Sequence, residues 1–112
     1  MANTFKRYVS NSVSNTIGTS LTAVGGHTVS TYTTVIGLVV SNTSASQVLV
    51  DATLNDGSND TYLIKQAPVP SGGAIVIVGG DQKVVLETND SIKVKSDTAS
   101  SVDVVMSILE IT

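Results

Sequence analysis

Thr33-Thr34-Val35-Ile36-Gly37-Leu38-Val39-Val40, then the polar run Ser41-Asn42-Thr43-Ser44-Ala45-Ser46-Gln47, then Val48-Leu49-Val50-Asp51-Ala52-Thr53-Leu54, is the stretch on which the fold turns. It reads as two antiparallel strands joined by a polar loop. The second strand alternates, with Val48, Val50, Ala52 and Leu54 on one face and Gln47, Leu49, Asp51 and Thr53 on the other. Such a period of two marks a half-buried strand. The first strand does not alternate. Simple parity sends Val35 and Val39 one way and Ile36, Leu38 and Val40 the other, so both faces call for cover.

Upstream, residues 2–16 are rich in Asn, Ser and Thr and read as an N-terminal arm, with a short edge strand over residues 5–9. Phe5 and Tyr8 are two of only four aromatic residues, which makes them candidate anchors onto a neighbour. A strand is expected over residues 17–24, ending at Gly25-Gly26, a pair that permits positive φ. Residues 27–31 lead into the central stretch.

Downstream, Asp56-Gly57 between apolar segments is a hairpin signal, and Thr61-Tyr62-Leu63-Ile64-Lys65 is the returning strand. Pro68-Val69-Pro70 reads as a break, because proline cannot donate to a ladder. Ala74-Ile75-Val76-Ile77-Val78 is apolar at every position, as expected of a central strand or of one whose outer face is an interface. Val84-Val85-Leu86-Glu87 follows, with Asp81-Gln82-Lys83 ahead of it and a turn at Thr88-Asn89-Asp90 behind. Ser91-Ile92-Lys93-Val94-Lys95 sends Ile92 and Val94 inward and both lysines outward. The last strand, residues 102–111, points Val102, Val104, Met106 and Ile108 inward. It loses its pattern at Ile108-Leu109, for which a bulge or a second covered face would account.

No window repeats apolar residues at helical spacing over three turns, and Val, Ile and Thr together supply 18, 8 and 14 residues of 112. These β-branched side chains suit pleated surfaces. About eight strands spaced about ten residues apart predict an all-β, antiparallel sandwich of jelly-roll or immunoglobulin-like type. The division expected is an arm at 1–16 and a sandwich domain at 17–112.

The net charge of −3 from 15 ionisable Lys, Arg, Asp and Glu side chains excludes a nucleic-acid surface, which needs clustered Lys and Arg. So sparse a charge, with positive mean hydropathy, points to a surface that meets other subunits. There is no cysteine, hence no disulfide or thiolate metal site. The opening residues have no apolar run behind Lys6-Arg7, so no signal peptide is read there, and no stretch approaches the length of a membrane helix. The expected location is the cytosol or a destination reached without a secretion signal.

Little of the sequence resembles a reaction centre. His27 is the single histidine and reads as a surface or turn residue; Gly-x-Ser-x-Gly is absent. Gly72-Gly73 and Gly79-Gly80 lack the following helix that phosphate binding needs. Asp56, Asp60 and Asn55 are oxygen donors that a cation would accept, but Asp and Asn belong in turns for their own reasons. Glu87/Asp90 likewise sit in a polar turn. No enzyme and no cofactor is expected.

The run from Ala67-Pro68-Val69-Pro70-Ser71-Gly72-Gly73 through Gly79-Gly80-Asp81-Gln82-Lys83 to Asn89-Asp90-Ser91-Ile92-Lys93-Val94 resembles small virion structural proteins of tailed phages, especially those infecting marine cyanobacteria. The segments Thr34-Val35-Ile36-Gly37-Leu38-Val39-Val40-Ser41-Asn42-Thr43 and Ser107-Ile108-Leu109-Glu110-Ile111-Thr112 are similar to the early strand and the ending of that group. The likeness does not extend to the arm ahead of Ile17, and its motifs are strand-and-turn patterns without catalytic residues. It implies a β-sandwich in the particle: a capsid decoration (cement) protein, clustered as trimers and bound to the major capsid protein, or else a neck, tail or fibre component. Phe5, Tyr8, Val9, Val35, Val39, Ile75 and Ile77 are the candidate subunit contacts. From a different class, a module binding host glycans would use exposed aromatics, and only Tyr32, Tyr62, Tyr8 and Phe5 are on offer.

Overall fold

The computed structural model describes residues 3–11, 16–79 and 83–111. The expectations for Val13 in the arm and for the stretch 80–82 before the seventh strand lie outside the described residues. Among the described residues, nine strands follow in order: β1 (Asn3–Ser10), β2 (Thr22–Ala23), β3 (Thr33–Asn42), β4 (Val48–Asn55), β5 (Asp60–Val69), β6 (Ala74–Val78), β7 (Val84–Leu86), β8 (Ser91–Ser96) and β9 (Val102–Ile111). They form two antiparallel sheets. The first has the order β1-β9-β3-β6 with β7 also on β3, and the second the order β2-β8-β4-β5.

The pairs nest: β1 with β9, β2 with β8, β3 with β6 and β7, β4 with β5. Since β6 and β7 succeed one another along β3, they fill one strand position. Two sheets of four positions joined by nested pairs make a jelly roll, the first of the two sandwich types expected. The core lies between the sheets. Val35, Leu38, Val40, Val104, Met106 and Ile108 of the first sheet face Val48, Val50, Ala52, Ile92 and Val94 of the second, all buried.

The two strands of the opening stretch are where the alternation places them, but they belong to opposite sheets and do not form a hairpin. Asn42 organises the crossing. Its Nδ2 donates to the carbonyls of Ser46 (2.8 Å) and Val69 (2.9 Å), and its Oδ1 accepts from Ser44 N–H (2.9 Å) and Oγ (2.7 Å). A buried amide satisfied at all four positions locks the loop that carries the chain between layers.

Parity along β3 is corrected by a bulge. Val35 lies opposite Ile108 and Gly37 opposite Ser107, so Ile36 is an extra residue. Beyond it the inward set becomes Leu38, Val40 and Asn42, continuing Thr33 and Val35. Val35 and Val39 therefore face opposite ways, and so do Ile36 and Leu38. Of the two accounts of Ile108-Leu109 in β9, the bulge is absent: alternation runs on through Ile108 and Glu110, both buried, with Leu109 half-buried on the other face, and the irregularity belongs to its neighbour.

Three further expectations are corrected. The strand at 17–24 reduces to Thr22–Ala23, since Ile17 and Gly18 give their carbonyls to Ser100 and Ser96 N–H groups before the chain bends away. It then winds into a 3-10 turn at Val24–Gly26. Gly25 has φ +62°, and a Cβ there would lie 2.9 Å from Tyr8 Cβ, so both the conformation and the space require glycine. The break at Pro68 is not one: β5 continues to Val69, and proline is tolerated because β5 is a sheet edge. The turn comes at residues 70–73, closed by Gly73 N–H donating to Pro70 O at 2.9 Å. Finally, β6 is an edge strand, not a central one.

Candidate interaction surface

Each sheet has an outer face, and the two differ in chemistry. On the first sheet, register lines up outward residues in rows across the strands. One row is Val9, Val105, Val39 and Val76, from β1, β9, β3 and β6. Another is Phe5, Leu109, Thr34 and Val85, from β1, β9, β3 and β7. Between them lie Arg7, Ser107 and Gly37. A shallow depression of about 580 Å³ opens here, lined by Phe5, Arg7, Ile36 and Ser107 together with Lys6, Tyr8 and Ile108.

The rows are wet in the single chain. Phe5 is 73% exposed, Val76 and Val85 64% each, and Val105 45%. Isolated apolar residues on a surface are ordinary, but aligned rows of them mark contact sites. Among outward positions of these five strands, Arg7 and Asp103 are the only charges. Asp103 lies opposite Ser41 on the far side of the valine row from Arg7. Its Oδ1 is shielded from water and has no hydrogen-bond partner among the described residues.

The outer face of the second sheet is polar and internally bonded. Asp51, buried in spite of its charge, accepts Gln66 N–H at 2.7 Å and lies 3.6 Å from Lys95 Nζ. That bond holds Gln66 at φ 52°, in the left-handed region that a side chain occupies at a cost. Thr53 and Asn55 donate to Asp60 Oδ1 at 3.1 and 2.8 Å. Lys65 Nζ stands 5.0 Å above the Tyr62 ring.

Of the contact candidates, the structure gathers Phe5, Val9 and Val39 on the outer face of the first sheet. Val35 is fully buried between the sheets and out of reach of any neighbour. Ile75 and Ile77 are half-buried against the core, and Val76 between them points out. Val76, Val85 and Val105 were not singled out by sequence. Their signal was cross-strand register, which one strand's pattern does not contain. The arm's expected short edge strand is β1, paired over all eight residues with β9.

Tyr8 also turns inward and stacks on His27, rings 3.8 Å apart and 11° from parallel. His27 is thus the turn residue expected, its N–H donating to Val24 O at 3.2 Å to close the 3-10 turn, and its ring is half-covered, with Nε2 buried and without a partner among the described residues. Desolvation lowers its pKa below the ordinary imidazole value; Glu110 opposes this and Lys6 reinforces it. Lys6 Nζ lies 3.1 Å from Glu110 Oε1, and this bond raises the lysine pKa.

The Asp56 and Asp60 carboxylates are occupied within their hairpin. Asp56 Oδ1 accepts from Ser58 N–H (3.0 Å) and Asn59 N–H (2.8 Å), which lowers its pKa. No group of three or more His, Cys, Asp or Glu side chains converges among the described residues. Nor, among them, is any helix long and apolar enough to cross a membrane. The aromatics are dispersed: Phe5 lies on the outer face of the first sheet, Tyr8 turns inward at that sheet's β1 edge, Tyr62 pairs with Thr53 in the second sheet, and Tyr32 is exposed just ahead of β3.

No protein-family model matches the chain, and no curated protein matches it in sequence. Two solved structures are similar in fold, both described as a pentameric capsid protein isolated from metagenomic phage sequences. Each is 17% identical with a TM-score of 0.42; the match covers 95% of this chain and 61% and 59% of those chains. This chain thus spans about three-fifths of their length, and likeness at this level does not bear on function.

Proposed function

We propose that the chain is a structural protein of a phage virion, specifically a capsid decoration protein that reinforces the shell by covering its outer sheet face against neighbouring subunits. The observation that carries this reading is the pair of apolar rows on the β1-β9-β3-β6/β7 sheet, crossed by only two charges. The resemblance of the strand and turn motifs to tailed-phage virion proteins supplies the setting. Mechanically, the chain contributes contact area. Each 100 Å² of apolar surface removed from water stabilises by about 2.5 kcal/mol, and internal pressure must work against it. A rigid sandwich suits this task, because the rows are held in register by ladders and cannot collapse onto themselves.

The test is addition of the purified chain to particles that lack it. Binding, together with a rise in the temperature at which particles disrupt, is expected. Binding that is absent, or that leaves the disruption temperature unchanged, refutes the decoration role. Copy number per particle separates it from a neck or tail role: hundreds for a shell protein, about a dozen or fewer for the tail.

A further inference from the structure

The face described above is also self-complementary. We infer that it is the contact surface of a symmetric dimer, in which a second copy of this chain packs about a two-fold axis running along the row Val9, Val105, Val39 and Val76. This deepens the proposed function, because it names the neighbour that covers the face.

The argument is one of charge and register. Arg7 is two residues from Val9, and Asp103 is two residues from Val105. Val9 and Val105 are direct partners in antiparallel strands, so Arg7 and Asp103 fall on opposite sides of the row. An axis along that row, parallel to the sheet, exchanges its two sides. It therefore sets valine row on valine row and brings each Arg7 level with the other copy's Asp103, one strand spacing of about 4.8 Å aside and within reach of the long arginine side chain. One positive and one negative group, so placed, satisfy two contacts at once, which is the signature of an isologous interface.

Four strand positions span about 20 Å, and the overlapping stretch is of similar length, so a pair buries on the order of 800–1,000 Å². That is the low end for a specific interface, the class of weak and transient pairs. Self-complementarity favours this two-fold pair over the trimer that the resemblance implies, since a three-fold cluster joins unlike patches.

The experiment is sedimentation of the full chain across micromolar to near-millimolar concentrations, for the wild type, Arg7→Asp and Asp103→Arg. The wild type is expected to dimerise. Each variant alone sets like charges together and weakens self-association about tenfold or more. Mixed with one another, the two variants must form a heterodimer, because one cross-contact is then the native Arg7–Asp103 pair and the other its charge-swapped counterpart. Circular dichroism confirms that each variant is folded, and Val105→Lys, expected to abolish the dimer, gives a second readout should Asp103→Arg fail to fold. A wild type that stays monomeric, one that forms trimers, or a mixture that does not associate overturns the inference. Particle binding by a chain that is monomeric in solution would overturn the dimer and leave the decoration role standing. A dimer with no affinity for particles would do the reverse.

Discussion

The outer faces of the two sheets are built on the same lattice and solved differently. The second sheet spends most of its outward positions on Asp51, Lys95, Lys93, Thr53, Asn55 and Asp60, with Leu49 and Tyr62 among them, and the carboxylates are bonded to the same face. The first sheet leaves valines, Phe5 and Leu109 facing water. A fold needs only its inner faces to be apolar. The contrast therefore teaches that the second sheet ends in solvent, whereas the composition of the first exceeds what folding requires.

The largest effect tests where the boundary between inside and outside runs along β3. Leu38→Ala, in the core, is expected to cost about 2–5 kcal/mol in chemical denaturation. Ile36→Ala, on the far side of the bulge, should cost about 1 kcal/mol or less in the isolated chain. Equal losses would mean that Ile36 and Leu38 share a face, as simple alternation has it.

The next concerns the polar face. Asp51→Ala removes the acceptor that holds Gln66 in its left-handed conformation and the partner of Lys95. A loss of about 1–3 kcal/mol is expected. Full stability would show that the polar face only decorates its sheet.

On the apolar face, Val76→Ser and Val105→Ser should change the unfolding free energy of the monomer by about 0.5 kcal/mol or less. They should reduce binding of a dye that reports exposed apolar surface. A large loss of monomer stability would show that these valines serve the fold itself and would erase the distinction between the faces.

The smallest effect is one of pH. His27 has a depressed pKa in the folded chain, so the unfolded chain binds the proton more readily. Its contribution is complete above its ordinary value of 6.5 and is lost as pH falls through the lower folded value. Stability should therefore decline below about pH 6.5, and His27→Gln should flatten that part of the profile. A profile unchanged by the substitution would show that the stack on Tyr8 carries no cost for protonation.

Legibility followed the range of the interactions involved. Strands with clean alternation, such as β8 and the inward set of β9, could be read residue by residue, because each side chain reports its own environment. The Asp56-Gly57 turn was legible for the same local reason. β3 was not, since a single extra residue reverses every later position and nothing in Val35-Ile36-Gly37-Leu38 announces it. At Pro68 the local rule pointed to a break, and it gave way because no strand pairs with the outer edge of β5. For the surface site, Phe5, Val9 and Val39 were legible as apolar residues in need of cover. Val76, Val85 and Val105 were not, since their membership depends on which strands lie side by side.

By itself, then, the sequence determined an all-β sandwich with little charge, because composition and period-two alternation act within a few residues. Only the tertiary structure decided the nesting of the strands, the parity beyond the bulge and the alignment of four valines into one row. Those are properties of register between segments as far apart as Val9 and Val105, and register is set by how whole strands pair, not by what any one strand contains.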